Sequence, residues 1–383
     1  MDPMKIVIAV DSFKGSADAG SVAAHLARGA LRAVPQAQTV QLPLSDGGEG
    51  MLDAYLRTGG TRVALTVTGP DGSPVQASYG VLPDGTAVIE MAQASGLTLV
   101  PEPRRNVLAA TTYGTGELMR AALDRGCRAM VVGIGGSATN DGGTGMAAAL
   151  GVRFLDAAGR PLPPGGAALA RLAHIDASGL DPRVAQGRIT VACDVTNPLC
   201  GPQGASAVYG PQKGASAQDV ALLDGALAHY GALLASQLGR EVAGLPGAGA
   251  AGGLGAALLA FCGAILRPGI EAVLDALHFE EALAGADLVL TGEGRIDAQT
   301  ACGKAPVGVA RRVKRYDPRI PVVAVVGAMG DGAELAYREG VDAIVPLPPR
   351  PMSLADCMAQ AGPLLEAAAE RALRLLLVGR ALP

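Results

Sequence analysis

Four carboxylates stand where apolar runs of the sequence end, and each has a glycine, serine or threonine within two residues: Asp11, Asp46, Asp194 and Glu293. In open parallel sheets, ligands bind outside the carboxyl ends of the strands. One aspartate in such a place is commonly only a turn former or a helix cap. Four carboxylates in corresponding positions instead predict a ligand site at the strand ends.

A second candidate is the loop of residues 133–145, GIGGSATNDGGTG, between a predicted strand and a predicted helix. Its glycines permit close approach of the backbone. Its N–H groups, with the hydroxyls of Ser137 and Thr139, suit phosphate oxygens. The loop is compatible with two other interpretations, of which one is a tight structural turn.

The other interpretation is a dinucleotide-binding loop, because Gly133-x-Gly135-x-x-Ala138 is followed about twenty residues later by Asp156. In that motif the acidic residue binds the ribose. Against it, the helix after the loop begins only beyond Asp141, which would place a carboxylate beside the pyrophosphate.

Lysine is scarce, since only five of the 31 lysines and arginines are lysines. Three of the five lie beside glycine in predicted loops, namely Lys14, Lys213 and Lys304. Each alone is as easily an ordinary surface lysine, but together they favour an anionic ligand. The segment at Lys304 is not a Walker loop, because Ala298 stands in place of the first glycine and Ala305 in place of the serine or threonine.

The elements that must position these residues alternate between strand and helix. Residues 5–11 and 39–44 are predicted strands, each followed by a helix, and the apolar runs 287–290, 322–326 and 343–345 alternate with helices near the end of the chain. Apolar strands separated by amphipathic helices predict a parallel sheet covered on both faces. We therefore expect an α/β fold with one five-stranded, doubly wound domain, flavodoxin-like or Rossmann-like.

The middle of the chain has a different pattern. Short alternating runs from residue 61 to about residue 100 are separated by turn signals at 69–72 and 83–85, which predict antiparallel hairpins. Glycine-rich α/β segments follow. We expect a discontinuous domain of residues 1–65 and 286–383, with a second α/β domain of residues 66–285 inserted into it.

Composition argues against several classes of protein. The net charge is −4 and charged residues are 17% of the chain, so there is no basic field to bind nucleic acid. The six cysteines include no C-x-x-C pair and are typical of free thiols in a reducing compartment. The apolar run 6–10 is too short for a secretion signal. Residues 242–266 carry no charge, but glycines and a proline leave only a core helix over 254–266 and no membrane span. We expect a cytoplasmic protein.

Six blocks of sequence, taken together, resemble the bacterial type 1 glycerate kinases. The blocks are VDSFKGS at 10–16, LSDGGEG at 44–50, GGSATNDGG at 135–143, CDVTNPLCG at 193–201, GPQKG at 210–214 and TGEGRID at 291–297. The resemblance runs in order through essentially the whole chain. It implies ATP-dependent phosphorylation of D-glycerate, giving 2-phosphoglycerate in most members, by two α/β domains with the active site in the cleft between them.

The expected roles join this resemblance to the chemistry of phosphoryl transfer, which needs positioning and charge neutralisation. We expect Asp194 to accept the proton of the substrate hydroxyl. Lys14 and Arg295 would hold the carboxylate of glycerate or the transferred phosphoryl group. Mg²⁺ would be bound by Asp46 or Glu293, since it usually takes one or two carboxylates plus phosphate oxygens.

Further contacts are predicted with the substrate and with the ATP phosphates. The substrate contacts are Ser12, Asp46, Gly47 and Asn197. The phosphate contacts are Gly135, Gly136, Ser137, Thr139, Asn140, Asp141, Gly142 and Lys213. Three alternatives stay open: the same kinase giving 3-phosphoglycerate, a nicotinamide-dependent oxidoreductase using the loop at Gly133 and Gly135, and a glycerate-binding sensor without catalysis.

Overall fold

The computed structural model describes residues 3–45, 48, 50–57, 59–298, 300 and 303–380. In chain order, its strands are β1 (Lys5–Val10), β2 (Gln38–Pro43), β3 (Thr61–Thr68), β4 (Pro74–Val81), β5 (Ala87–Glu90), β6 (Ala129–Gly133), β7 (Arg153–Leu155), β8 (His174–Asp176), β9 (Arg188–Ala192), β10 (Ile265–Arg267), β11 (Leu288–Ile296), β12 (Val322–Met329) and β13 (Ala343–Pro346).

The α-helices are α1 (Ala19–Ala33), α2 (Met51–Leu56), α3 (Ala92–Ser95), α4 (Tyr113–Asp124), α5 (Thr144–Ala149), α6 (Pro182–Gln186), α7 (Ala205–Tyr209), α8 (Ala217–Leu238), α9 (Ala250–Cys262), α10 (Gly269–Ala276), α11 (Phe279–Leu283), α12 (Ala305–Tyr316), α13 (Leu335–Arg338), α14 (Leu354–Ala359) and α15 (Ala361–Arg380). Short 3₁₀ helices occupy Leu97–Leu99, Glu102–Arg104, Gly166–Arg171 and Pro211–Lys213. None of the described helices is long and apolar enough to cross a membrane.

Contacts divide the chain into two units, and the first comprises residues 1–46 and 270–383. Its five strands form a parallel sheet in the order β13-β12-β11-β1-β2. One face of the sheet packs on α1 and α15, with Ile8, Leu26 and Leu365 fully buried between them. Helix α12 packs against β1, β11 and β12 and contributes nothing to that core. The predicted doubly wound α/β sheet is therefore confirmed.

Local sequence explains where the helices of this sheet begin. Asp18 caps α1 by accepting a hydrogen bond from the Ser21 N–H at 2.9 Å. Val22, Leu26 and Ala30 then place one apolar stripe against the sheet. The loop that precedes this helix carries Lys14 and is closed by hydrogen bonds between Phe13 and Ala17.

The second unit comprises residues 47–269 and is built on a six-stranded sheet in the order β10-β9-β6-β5-β4-β3. Strands β3, β4 and β5 pair antiparallel, as the turn signals predict, and β5, β6, β9 and β10 pair parallel. A large apolar core includes Met119, Leu227 and Leu254. Strands β7 and β8 form a separate two-stranded sheet.

The unit boundaries lie earlier in the chain than the predicted boundaries at residues 65 and 285. Residue Thr61 already pairs with Val81, because the whole of β3 belongs to the antiparallel hairpin. Helix α10 belongs, from Ile270 onward, to the first unit, where the side chain of Ile270 packs tightly on Gly308 of α12. Alternating strands and small helices carry no mark of the sheet they join, so the sequence placed both boundaries too late.

Candidate active site

The first unit brings two of the strand-end carboxylates side by side. Strands β1 and β11 are neighbours, with Val10 opposite Gly292, so Asp11 and Glu293 follow in adjacent positions. The strand order reverses direction at this pair, which is where ligands bind in doubly wound sheets. The Asp11 N–H donates to the Gly292 carbonyl at 3.1 Å, which ties the two strand ends together.

Both carboxylates are held by hydrogen bonds. The Asp11 side chain, only 7% exposed, accepts from the N–H of Ser12 at 2.6 Å. The half-buried Glu293 carboxylate accepts from the Thr300 hydroxyl at 2.6 Å. Two oriented carboxylates on adjacent strands suit a hard cation such as Mg²⁺, which prefers oxygen ligands. Among the described residues, no group of three or more metal-binding side chains occurs.

The same strand ends carry two of the predicted cations, Lys14 and Arg295. Gly294 contacts the loop after β1, because a Cβ there would lie at ordinary contact distance, 3.6 Å from the Phe13 Cα and 3.7 Å from the Lys14 nitrogen. Lys14 is exposed, and Arg295 is exposed with its Nε 3.5 Å from an Asp297 carboxylate oxygen. Lys14 and Arg295 therefore lie near Glu293 with their charges accessible. The predicted substrate and metal residues Asp46 and Gly47 lie outside the described residues.

In the second unit, the glycine loop follows β6 and is fixed along its length by backbone hydrogen bonds. The Gly136 carbonyl accepts from the Leu97 N–H, and the Ala138 N–H donates to the Ser95 carbonyl, both at 2.9 Å. Gly142 has a φ of +65°, and a Cβ there would lie 2.9 Å from the Tyr230 ring. A side chain at this position would both strain the backbone and clash. The loop is therefore a rigid, preformed feature.

Asp141 organises the loop from beneath. It has no exposed surface and accepts four hydrogen bonds: from the N–H and the hydroxyl of Thr112, both at 2.8 Å, and from the N–H groups of Gly143 at 3.0 Å and Gly145 at 3.2 Å. Burial raises the pKa of Asp141, although these four bonds act in the opposite direction. Its role is to hold the shape of the loop.

Thr139 and Asn140 are buried in the same way. Neither has exposed surface, and the Asn140 amide donates to the Ser206 hydroxyl at 2.8 Å. The Thr139 Oγ1 and Asn140 Oδ1 atoms are buried without a hydrogen-bond partner. The side chains of Thr139, Asn140 and Asp141 do not reach the surface, and their contacts with the ATP phosphates stay a prediction. Within the loop, Gly136 is exposed, Gly135 and Gly145 are half-buried, and Ser137 keeps only an edge accessible.

Lys213 is the cation associated with this loop. Its Nζ donates to the Ser137 hydroxyl at 2.7 Å and to the Thr139 carbonyl at 2.6 Å, and the residue is 3% exposed. Burial lowers the pKa of Lys213 to about 7, while the nearby Asp141 raises it. A cation held behind a glycine loop suits an incoming phosphate, because its charge is poorly screened there.

Asp194 lies beside this loop in the sheet, because β9 pairs with β6 and places Ala192 opposite Gly133. Its carboxylate is exposed and accepts from the Gly269 N–H at 2.8 Å. Asn197 lies further along the same loop. Its amide donates to the Gln203 carbonyl and accepts from the Tyr209 hydroxyl, both at 2.7 Å, so it stabilises the loop that carries Asp194.

A glycine-rich segment joins the Asp194 loop to the glycine loop. The Gly249 N–H donates to the Asn197 carbonyl, and the Gly252 carbonyl accepts from the Gly142 N–H, both at 2.9 Å. Ala251, Gly252 and Gly253 all have left-handed backbone conformations, with φ of 52°, 69° and 91°. This segment fixes the position of one loop relative to the other.

Comparisons with known proteins agree with the sequence blocks. A family model described as the glycerate kinase family matches residues 6–377. Glycerate kinase of Halalkalibacterium halodurans is 51% identical over 366 residues, which cover 95% of this chain and 96% of the relative. Glycerate 2-kinase of Escherichia coli is 50% identical over 343 residues, which cover 89% of this chain and 90% of the relative. The chain belongs to the glycerate kinase family.

A crystal structure assigned as glycerate kinase 2 of Salmonella typhimurium LT2 has the same fold. Its TM-score is 0.87 at 49% sequence identity, over 99% of this chain and 100% of that one. Membership of the glycerate kinase family confirms the resemblance and the kinase class of enzyme.

The oxidoreductase alternative is wrong for a glycerate kinase of this architecture. Asp156 does not follow a strand beside β6, since it lies between β7 and β8, where it accepts from the Arg160 N–H at 3.0 Å. Helix α5 begins only at Thr144, so no helix N-terminus meets Gly133 or Gly135. The dinucleotide-binding geometry is therefore missing at this loop.

One further carboxylate at the end of a strand, Glu90, was not predicted from the sequence. Glu90 is the last residue of β5 and pairs with Gly133 at the start of the glycine loop. It accepts from the Leu52 N–H at 2.7 Å and from the Gln93 amide at 2.8 Å, and burial raises its pKa. The run AVIE, an apolar strand ending in a carboxylate, was the signal that could have found it.

Proposed function

We propose that this protein transfers the γ-phosphoryl group of ATP to a hydroxyl of D-glycerate and gives 2-phospho-D-glycerate. The observation that carries the proposal is the buried Lys213, bonded at 2.7 Å and 2.6 Å to the glycine loop, with the exposed Asp194 on the neighbouring strand end. The names of the relatives support the substrate, and the name of the E. coli relative supports the 2-phosphate product.

The phosphate groups of ATP would bind the accessible part of the glycine loop. Gly135, Gly136 and Ser137 provide backbone and hydroxyl groups, and Lys213 provides charge. A preformed loop costs no reorganisation when charge develops on the phosphoryl oxygens. Asp141 would act as a positioning residue, because it is fully buried and bonds the N–H groups of the loop.

Asp194 would be the general base. The substrate hydroxyl oxygen attacks the γ-phosphorus in line as the bond to the β-phosphate oxygen breaks, and ADP leaves with that oxygen. The proton of the hydroxyl passes to the Asp194 carboxylate. The Gly269 N–H at 2.8 Å orients this carboxylate, and Asn197 supports its loop.

Lys14 and Arg295 would bind the carboxylate of glycerate or the transferred phosphoryl group, with Ser12 as a further substrate contact. Their exposure leaves both charges accessible to a small anion. The predicted contacts from Asp46 and Gly47 remain part of the proposal.

Mg²⁺ would be held by Glu293, helped by Asp11 on the adjacent strand end or by Asp46. The two described carboxylates fit, because they are hard oxygen ligands already oriented by hydrogen bonds. When bound, the metal would neutralise negative charge on phosphate oxygens.

We also propose a cytoplasmic location without nucleic-acid partners. Five described cysteines are free thiols: Cys127, Cys193, Cys200, Cys262 and Cys357. Free thiols are typical of reducing compartments. The net charge of −4 supports the absence of a nucleic-acid partner.

The test is an assay of the full chain with ATP, Mg²⁺ and D-glycerate, coupled to enolase alone without a mutase. We expect enolase signal, because enolase consumes only the 2-phosphate. ADP release without enolase signal would mean the 3-phosphate, or hydrolysis of ATP without transfer. No ADP release in the presence of glycerate would refute the kinase proposal.

A further inference from the structure

A pocket of about 200 Å³ lies in the second unit, and Lys213 is the only residue of its lining to which the roles above assign a function. Ala138 of the glycine loop and Lys213 form one side of the pocket. Three other segments complete it, at Pro70 and Asp71, at Val100, and between Arg105 and Ala110. The pocket thus opens directly beside the proposed phosphate site.

The walls of the pocket do not suit glycerate. Glycerate has a carboxylate, two hydroxyls and almost no apolar surface, whereas Val100, Ala109, Ala110 and Ala138 give the pocket a mainly apolar lining. The volume exceeds that of a cavity of about 150 Å³ that accommodates benzene. A planar, weakly polar ring system of larger size fits these walls better than a small sugar acid.

The polar groups of the pocket suit a nucleotide. Asn106 lies in a fixed turn, because its carbonyl accepts from the N–H groups of Ala109 at 3.2 Å and Ala110 at 3.0 Å. Its side-chain amide can donate one N–H to N7 of adenine while its oxygen accepts from the N6 amino group. Arg105 and Lys213 supply positive charge on the same lining, and the one carboxylate there, Asp71, is paired with Arg104.

We propose that this pocket binds the adenine and ribose of ATP. The base lies against the apolar wall with Asn106 at its edge, and the phosphates extend toward Lys213 and the glycine loop. This inference rests on the proposed function, in which ATP is the phosphoryl donor. Arg105 and Asn106 are then nucleotide-binding residues in a part of the chain where no sequence motif lies.

The test compares ligands with and without a base on a variant with a filled pocket. Ala109 is exposed and lines the pocket, so Ala109→Leu fills space without disturbing a core. Ala158 is an exposed alanine in another turn of the same unit, which makes Ala158→Leu the matched control. Binding of ADP and of inorganic tripolyphosphate is measured by calorimetry on the full chain, with thermal unfolding to check that both variants fold.

Ala109→Leu should weaken ADP binding about tenfold or more, equal to about 1.4 kcal/mol, and leave tripolyphosphate within about twofold of wild type. Ala158→Leu should change neither. Unchanged ADP binding in Ala109→Leu would overturn the inference. An equal loss of affinity for ADP and for tripolyphosphate would overturn it as well, since the pocket would then hold phosphates.

A second variant tests the base itself. Asn106→Ala should lower the ratio of kcat/KM for ATP over GTP, because the amide that recognises adenine is gone. An unchanged ratio would overturn the role of Asn106. If wild type releases ADP with glycerate and both pocket variants behave like wild type, only this inference fails. If wild type releases no ADP, the proposed function itself fails.

Discussion

Replacing Lys213 with methionine tests the buried ammonium on which the proposed phosphate site depends. Burial lowers the pKa of Lys213 from 10.5 to about 7, so the folded protein releases this proton at lower pH than the unfolded chain does. Between those values the unfolded state binds more protons, and the free energy of unfolding of the wild type therefore rises with pH. At about 1.36 kcal/mol per pH unit, this group contributes a rise of roughly 3 kcal/mol between pH 7 and pH 9.

Lys213→Met lacks this titration. Below pH 7 the variant should be more stable than wild type, because the charge burial that it removes costs roughly 5 kcal/mol on the same scale. The substitution also leaves the buried Thr139 carbonyl without its donor, which lowers the free energy of unfolding by about 1–3 kcal/mol. Between pH 7 and pH 9 the stability of the variant relative to wild type should fall by roughly 3 kcal/mol. The same variant should lose binding of tripolyphosphate, so stability and function change in opposite directions at neutral pH.

The assay is urea unfolding followed by far-UV circular dichroism at several pH values from 6 to 9. Lys14→Met is the matched control, since it makes the same replacement at an exposed lysine. A Lys213→Met profile parallel to wild type would refute the buried ammonium. A loss of stability of Lys213→Met at pH 6 would refute it as well.

Three further predictions concern the base, the substrate cation and the glycine-rich segment. Asp194→Asn should lower kcat by about 10²- to 10⁴-fold with little change in KM; near-normal ADP release from a folded variant would remove Asp194 as the base. Lys14→Arg should retain the charge but lower kcat/KM for glycerate, because arginine does not reproduce a compact ammonium; steady-state kinetics equal to wild type would show that no point charge is needed. Gly252→Ala should destabilise the protein by more than about 1 kcal/mol, since its Cβ would lie 2.0 Å from the Thr139 carbonyl at a φ of +69°, whereas Gly244→Ala, with open space around it, should be nearly neutral. Equal melting temperatures for these two glycine variants would contradict the tight packing of the segment.

The parallel sheet of the first unit could be predicted because its strands are continuous apolar runs. Ile6, Ile8 and Leu290 are all fully buried. Strands that helices cover on both faces are apolar at successive positions, without the alternation of polar and apolar residues that half-exposed strands show. The predicted helix over 254–266 was wrong at its C-terminal end, whereas regular helical backbone does begin at Leu254, after three left-handed residues. Helix α9 ends at Cys262, because Gly263 takes a left-handed conformation and Ile265–Arg267 joins the edge of the second sheet as β10.

The candidate site was predicted only in outline. Strand ends locate Asp11 and Glu293 in the first sheet and Asp194 in the second, since the carboxyl ends of parallel strands within one sheet meet at one edge. Polar residues inside a glycine loop look alike in sequence, so the burial of Asp141 beneath the loop could not be foreseen. The pocket at Arg105 has no sequence motif because it is assembled from separate segments of the chain.

The central claim is tested most directly by ³¹P nuclear magnetic resonance of a reaction containing the full chain, ATP, Mg²⁺ and D-glycerate. The account predicts one new phosphomonoester for each ADP formed, split into a doublet by the single proton on C2. A triplet from the two protons on C3 would contradict the proposed product. Absence of any phosphomonoester would contradict the transfer itself.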